Sequence, residues 1–232
     1  MAMSSIYQGR ALLVHYLKLE FSQPERLLSA LLFSVTFLLV FMFAMGKVEP
    51  TNVPNLFVSE AFLAGFFALQ LSFSRSLEPD SQDSVFSLLR SYPISPVAWY
   101  VAKYFLVLIT GSLVLMPTIF FAAFFHTEAR VPLLNAEVFV VAFMSLLGLV
   151  AVGVLLGTLT LGSGTRQVLY PLLYFPLTTP VLLASVESSR SILVDGASID
   201  TMLQSWLGLL LVFDIIYCTL GVLLFGELVK AE

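Results

Sequence analysis

Asp214 has the most to explain in this chain, because it lies midway along a predominantly apolar run at 202–225. A carboxylate at the centre of a membrane helix costs about 2.5–3.5 kcal/mol on insertion scales. It must therefore face the bundle interior, a partner subunit or a cavity. Two chemistries suit such an intramembrane acid. One is a gating or substrate-path group; the other is a packed carboxyl bonded to serine, threonine or tyrosine of a neighbouring helix. Glu60, near the outer end of an earlier run, can simply reach lipid headgroups. His126 closes a third run and His15 lies near the N-terminus. Neither has the second His, Cys or Met pattern of a metal or haem site, so no metal ligand is expected.

Backbone chemistry is unusual at 167–186. Pro171, Pro176 and Pro180 each lack an amide donor, so the carbonyls of Gln167, Leu172 and Pro176 lose their i+4 partners. The hydroxyls of Thr178 and Thr179 can take up one or two of them. A span of this kind should be kinked or broken near 175–180, which is tolerated at membrane depth only against protein or a polar cavity. The adjoining outer loop, with Glu187, Arg190, Asp195 and Asp200, would then lie beside a partner-contact surface.

The third candidate is the connection between Arg75 and Ala98. Asp80 or Ser81 can cap a helix there, and Asp83 places negative charge in its first turn. Val85, Phe86, Leu88 and Leu89 supply an apolar face, Arg90 sits near the C-terminal end, and Pro93 and Pro96 stop the helix. A short capped helix with exposed leucines and phenylalanine suits docking into a partner, with Glu78 at the start of the segment. The competing reading is a connector lying flat on the bilayer.

Several chemistries are excluded. The chain has no His-Glu-x-x-His pair, no Gly-x-Ser-Gly element and no Gly-x-x-x-x-Gly-Lys-Ser/Thr phosphate loop. No catalytic residue is expected, and ATP, if used, binds another chain. Cys218 is the only cysteine, so no internal disulfide can form. A net charge of −4 gives no reason to expect a nucleic-acid partner.

Six apolar runs must position these residues: 27–45, 56–74, 100–125, 138–161, 167–186 and 202–225. Each has roughly the 20 residues needed to cross a hydrocarbon core. The chain is 59% hydrophobic and only 11% charged, too little polar sequence to cover six such segments in water. In lipid every backbone amide must be satisfied within its segment, so the runs are helices. The expected fold is all-α: one transmembrane domain over 1–232, with six spans in lipid. Arg10, Lys18, Arg26, Arg75, Arg90, Lys103, Arg166 and Lys230 fall on one side, against Lys47, Arg130 and Arg190 on the other. By the positive-inside rule both termini are cytoplasmic. Residues 4–25 should form an interfacial helix with Ile6, Leu13, Leu17 and Phe21 on one side, interrupted by Arg10 and ended by Pro24. Small-residue pairs, Ala61/Gly65 and Ala64/Ala68 in the second run and Gly153/Gly157 in the fourth, invite close helix packing inside the bundle or at a subunit interface.

Two stretches resemble a known family. Glu78-Pro79-Asp80-Ser81-Gln82-Asp83, followed by Leu88-Leu89, Tyr92-Pro93-Ile94-Ser95-Pro96 and Lys103, is similar to the acidic, proline-punctuated loop of haem exporter protein B (CcmB). Leu173-Tyr174-Phe175-Pro176-Leu177-Thr178-Thr179-Pro180-Val181-Leu182-Leu183 resembles that family's proline-threonine signature. Asp83-Ser84 departs from the Asp-Gly common in the family. The resemblance implies a type-2 ABC exporter-like permease of the bacterial inner membrane, acting in c-type cytochrome biogenesis. It implies a cytoplasmic ATPase partner that supplies ATP hydrolysis, a second copy of the chain, and a haem-handling membrane protein. Residues 76–98 would be the coupling loop. Haem would be handled through the complex, with no cofactor bound directly by this chain. The alternatives are a type-2 permease exporting a lipid or drug-like substrate, and an ATP-independent secondary transporter.

Overall fold

Local chemistry sets the helix ends. In the computed structural model, which describes residues 2–76, 95–126, 132–160, 165–203 and 205–231, the helices are α1 (Ala2–Phe21), α2 (Glu25–Met45), α3 (Val53–Ser76), α4 (Pro96–Phe125), α5 (Ala136–Leu159), α6 (Arg166–Val194), α7 (Ile199–Met202) and α8 (Trp206–Ala231). No strand occurs among the described residues. After α1, Ser22 N–H bonds the carbonyl of Lys18 and its hydroxyl bonds that of Leu19. The N-terminal helix therefore stops at Phe21, short of the expected boundary at 25. Gly46 closes α2 with φ of 64°, a left-handed conformation that glycine adopts without a Cβ penalty. Asn135 caps α5 by accepting the N–H of Glu137 at 3.2 Å, and Glu137 adds negative charge to the first turn.

Pro96 opens α4, at a position where the missing N–H would have no helical partner anyway. The connection between α3 and α4 thus runs from 77 to 95, not from 76 to 98. The two longest spans are α4, with 30 residues, and α6, with 29.

Helices α2, α3, α4, α5, α6 and α8 are long and apolar enough to cross a membrane. The most hydrophobic windows of α3 and α5 are 67% and 72% buried, against 22% for α2 and α8. So α3 and α5 form the centre. Helix α2 packs on α3 and α4 at one side, and α8 packs on α5, α6 and α4 at the other. Outward residues such as Leu32, Phe43 and Leu223 are exposed, as a lipid solvent permits.

Small residues explain why α3 and α5 are central. A methyl at Gly65 would collide with Leu115 of α4, and one at Gly148 with Asp214 of α8. A Cβ at Gly153 would stand 3.0 Å from Phe73 of α3 and 3.2 Å from the Tyr170 hydroxyl of α6. At these positions the glycines serve packing within one chain.

Candidate functional site

Among the described residues, one end of the bundle carries a connected polar network, and α1 is its hub. The packed side of α1 runs through Gln8, Leu12, Tyr16 and Glu20, at intervals of four, beside Leu13 and Leu17. Leu13 and Leu17, which share one side of the expected interfacial helix with Phe21, are half-buried, whereas Phe21 is 53% exposed. Polar Tyr16 and Glu20 take the buried positions instead. Glu20, 3% exposed, accepts the hydroxyl of Ser76 at 2.8 Å and lies 4.0 Å from the Arg26 guanidinium. The Tyr16 hydroxyl accepts Trp99 Nε1–H at 3.0 Å. Lys103, 2% exposed, sets its ammonium 3.6 Å from the centroid of the same ring, a cation–π contact in a desolvated setting. Ser95 N–H reaches Gln8 Oε1 at 3.3 Å, and Arg75 bonds the Ser29 hydroxyl.

The opposite end holds a second buried carboxylate. Glu60 of α3 is 1% exposed and bonds His126 Nε2 at the end of α4. It does not reach headgroups, because neighbouring helices enclose it and His126 answers one oxygen. Its Oε2 has no hydrogen-bond partner among the described residues. Nearby, Arg190 of α6 bonds Asn55 of α3 at 3.2 Å and Glu187 at 3.1 Å.

Helix α6 runs unbroken through Pro171, Pro176 and Pro180. Thr178 donates to the Tyr174 carbonyl at 2.6 Å and Thr179 to that of Phe175 at 2.7 Å. The threonines therefore do not serve the carbonyls of Leu172 and Pro176 that lost their donors. They bond back one turn to their own i−4 acceptors, the local geometry that a Ser/Thr hydroxyl in a helix prefers and that tends to bend it. The prolines at 176 and 180, and Thr179, lie on the exposed side. The opposite side, with Tyr170, Tyr174 and Thr178, is buried. Tyr174 stacks on Tyr170 at 5.6 Å and on Phe66 of α3 at 5.8 Å, and Phe73 meets it edge-on at 6.4 Å.

Asp214 is 8% exposed and faces α5, where the absent side chain of Gly148 makes room for it. Its Oδ1 has no hydrogen-bond partner among the described residues. Beside it Tyr104 donates to the Leu147 carbonyl at 3.1 Å, and Cys218, one turn along α8, lies 3.7 Å from the Tyr104 hydroxyl.

A family model described as CcmB protein matches residues 8–230, a stretch that takes in all six crossing helices. The chain belongs to the CcmB family. No curated protein matches it. Membership in CcmB points to a permease component of the haem-export and cytochrome c maturation system, and the six apolar helices make it a multi-pass membrane protein.

Within this CcmB chain the predicted site residues that are described lie apart from one another. Asp214 lies between α8 and α5, and the prolines and threonines sit on α6. Pro96 alone of the docking-loop residues is described; Glu78, Asp80, Asp83, Phe86, Leu88, Leu89, Arg90 and Pro93 lie outside the described residues. Among the described residues no group of three or more His, Cys, Asp or Glu is placed to hold a metal ion. Sequence reasoning missed Tyr16 and Glu20, although the four-residue spacing from Gln8 to Glu20 marks one helix stripe. It also missed the pairing of Glu60 with His126, for which no local signal exists.

Proposed function

We propose that this chain is the permease subunit of an ABC transporter that acts in haem delivery, or in release of a haem chaperone, during c-type cytochrome biogenesis. The family match over nearly the whole chain carries the reading. ATP is hydrolysed by a separate cytoplasmic ATPase, two copies of the permease assemble, and a haem-handling membrane protein completes the complex. Both termini are cytoplasmic, in keeping with the lysine and arginine bias. The α1 end of the bundle then faces the ATPase, and the Glu60–His126 end faces the periplasm. The segment with Glu78, Asp80, Asp83, Phe86, Leu88, Leu89 and Arg90 docks on the ATPase.

Purification from native membranes tests this. An ATPase and haem-maturation proteins should come down with the chain. An ATPase with no maturation protein would favour export of a lipid or drug-like substrate, and no ATPase at all would favour a secondary transporter. Replacing Phe86 and Leu89 together with aspartate should abolish ATPase recovery while the permease still inserts; undiminished recovery would remove the docking role.

A further inference from the structure

We infer that α1 is a coupling brace. It grips the protein at both points where the 77–95 connection leaves the bundle, and Glu20, Tyr16 and Lys103 are its positioning residues. The inference rests on the ABC-permease reading above.

The contacts are arranged by position, not merely by burial. The connection departs from Ser76, the last residue of α3, and returns at Ser95, which precedes α4. Glu20 holds the first point through the Ser76 hydroxyl, and Gln8 holds the second through the Ser95 N–H. Twelve helical residues separate Gln8 from Glu20, about 18 Å of rigid rod at 1.5 Å per residue. Between them Tyr16 is fixed twice to the first turns of α4, by Trp99 and by Lys103. Gly9 lets the rod lie close: a Cβ there would already stand 3.4 Å from the Ala98 carbonyl. Glu20 also reaches Arg26 at the start of α2. One helix thus touches α2, α3 and α4 at the same end.

Packing alone would not select these side chains. An apolar residue would fill the Glu20 and Lys103 positions without the desolvation cost of a buried charge, and what buried polar groups provide instead is a defined register. A rod registered at both departure points makes any push on the connection move α3 and α4 together. Without it, the same push would be absorbed by bending at 76 and 95.

The test uses the whole complex purified from membranes. Glu20→Leu and Tyr16→Leu keep apolar volume but remove the registering contacts. Each should leave the amount of copurified ATPase and its ATP hydrolysis near wild type, while c-type cytochrome assembly per complex falls roughly tenfold, the scale of one lost buried polar contact. Glu20→Gln, which can still accept from Ser76, and Lys103→Arg, which keeps a cation over the ring, should each retain most of the assembly. A merely structural α1 would instead lower complex yield, melting temperature and assembly in proportion, with the conservative variants no better; that result overturns the brace. So does full coupling in both leucine variants. Absence of an ATPase from the wild-type complex would instead overturn the ABC reading, and the brace with it.

Discussion

Glu20 and Glu60 are both carboxylates buried at the edge of the bundle, yet they are answered differently. Glu20 draws its partners from α3 and from the start of α2, and its helix is further tied to α4 by Tyr16. Glu60 is answered by one imidazole, joining α3 to α4, which already pack along their length. A group that ties three elements across a connection sets their relative position. A group that ties two neighbours already in contact adds to stability, and loss of its partner leaves a buried polar group with nothing to meet it. Burial alone does not tell the two roles apart; the identity of the linked elements does.

The largest effect should come from the imidazole. His126→Ala leaves Glu60 buried without its partner and should cost about 3–5 kcal/mol, the usual consequence of breaking a buried pair from one side. Thermal unfolding in detergent would measure it. The double variant Glu60→Leu, His126→Leu should recover most of the loss, because well-packed apolar residues often replace a buried pair at little cost. If the single and double variants melt alike, the two residues are not an energetic pair.

Asp214 sharpens the contrast, since its Oδ1 faces a glycine and not the serine, threonine or tyrosine hydroxyl that a packed carboxyl would be expected to meet. Gly148→Ala drives a methyl into that oxygen and should destabilise by about 1–3 kcal/mol, the range of overpacking. Asp214→Ala in the same chain should relieve it, giving a clear coupling in a double-mutant cycle. Gly65→Ala makes a useful control: the atom it meets is the far end of Leu115, a side chain that can move aside, so its cost should be smaller. Equal costs at the two glycines would show that Asp214 is not held against α5.

The smallest change in stability is expected at Glu20. Arg26 is partly exposed and can turn to water, and Ser76 is a small neutral group, so Glu20→Leu should shift unfolding by no more than about 1 kcal/mol. Cytochrome assembly should nevertheless fall. If Glu20→Leu proves as destabilising as His126→Ala, the distinction between positioning and stabilising carboxylates does not hold here.

The amino-acid sequence by itself determined the six spans, because the length of an apolar run against the thickness of a bilayer is a local property. It also marked the proline-threonine stretch of the CcmB family, placed Asp214 away from lipid, and put a helix before the first span. Only the tertiary structure decided which face of that helix packs, what Glu60 meets, and which glycines receive which neighbours. Glu60 and His126 are 66 residues apart, and Glu20 and Ser76 are 56 apart. Nothing in either local pattern predicts these pairings. They follow from which helices become neighbours, and that is settled by how small residues on α3 and α5 let the other spans close around them. The threonines of α6 show the same division. Sequence shows hydroxyls beside carbonyls deprived of donors, but helical geometry turns each hydroxyl back to its own preceding turn.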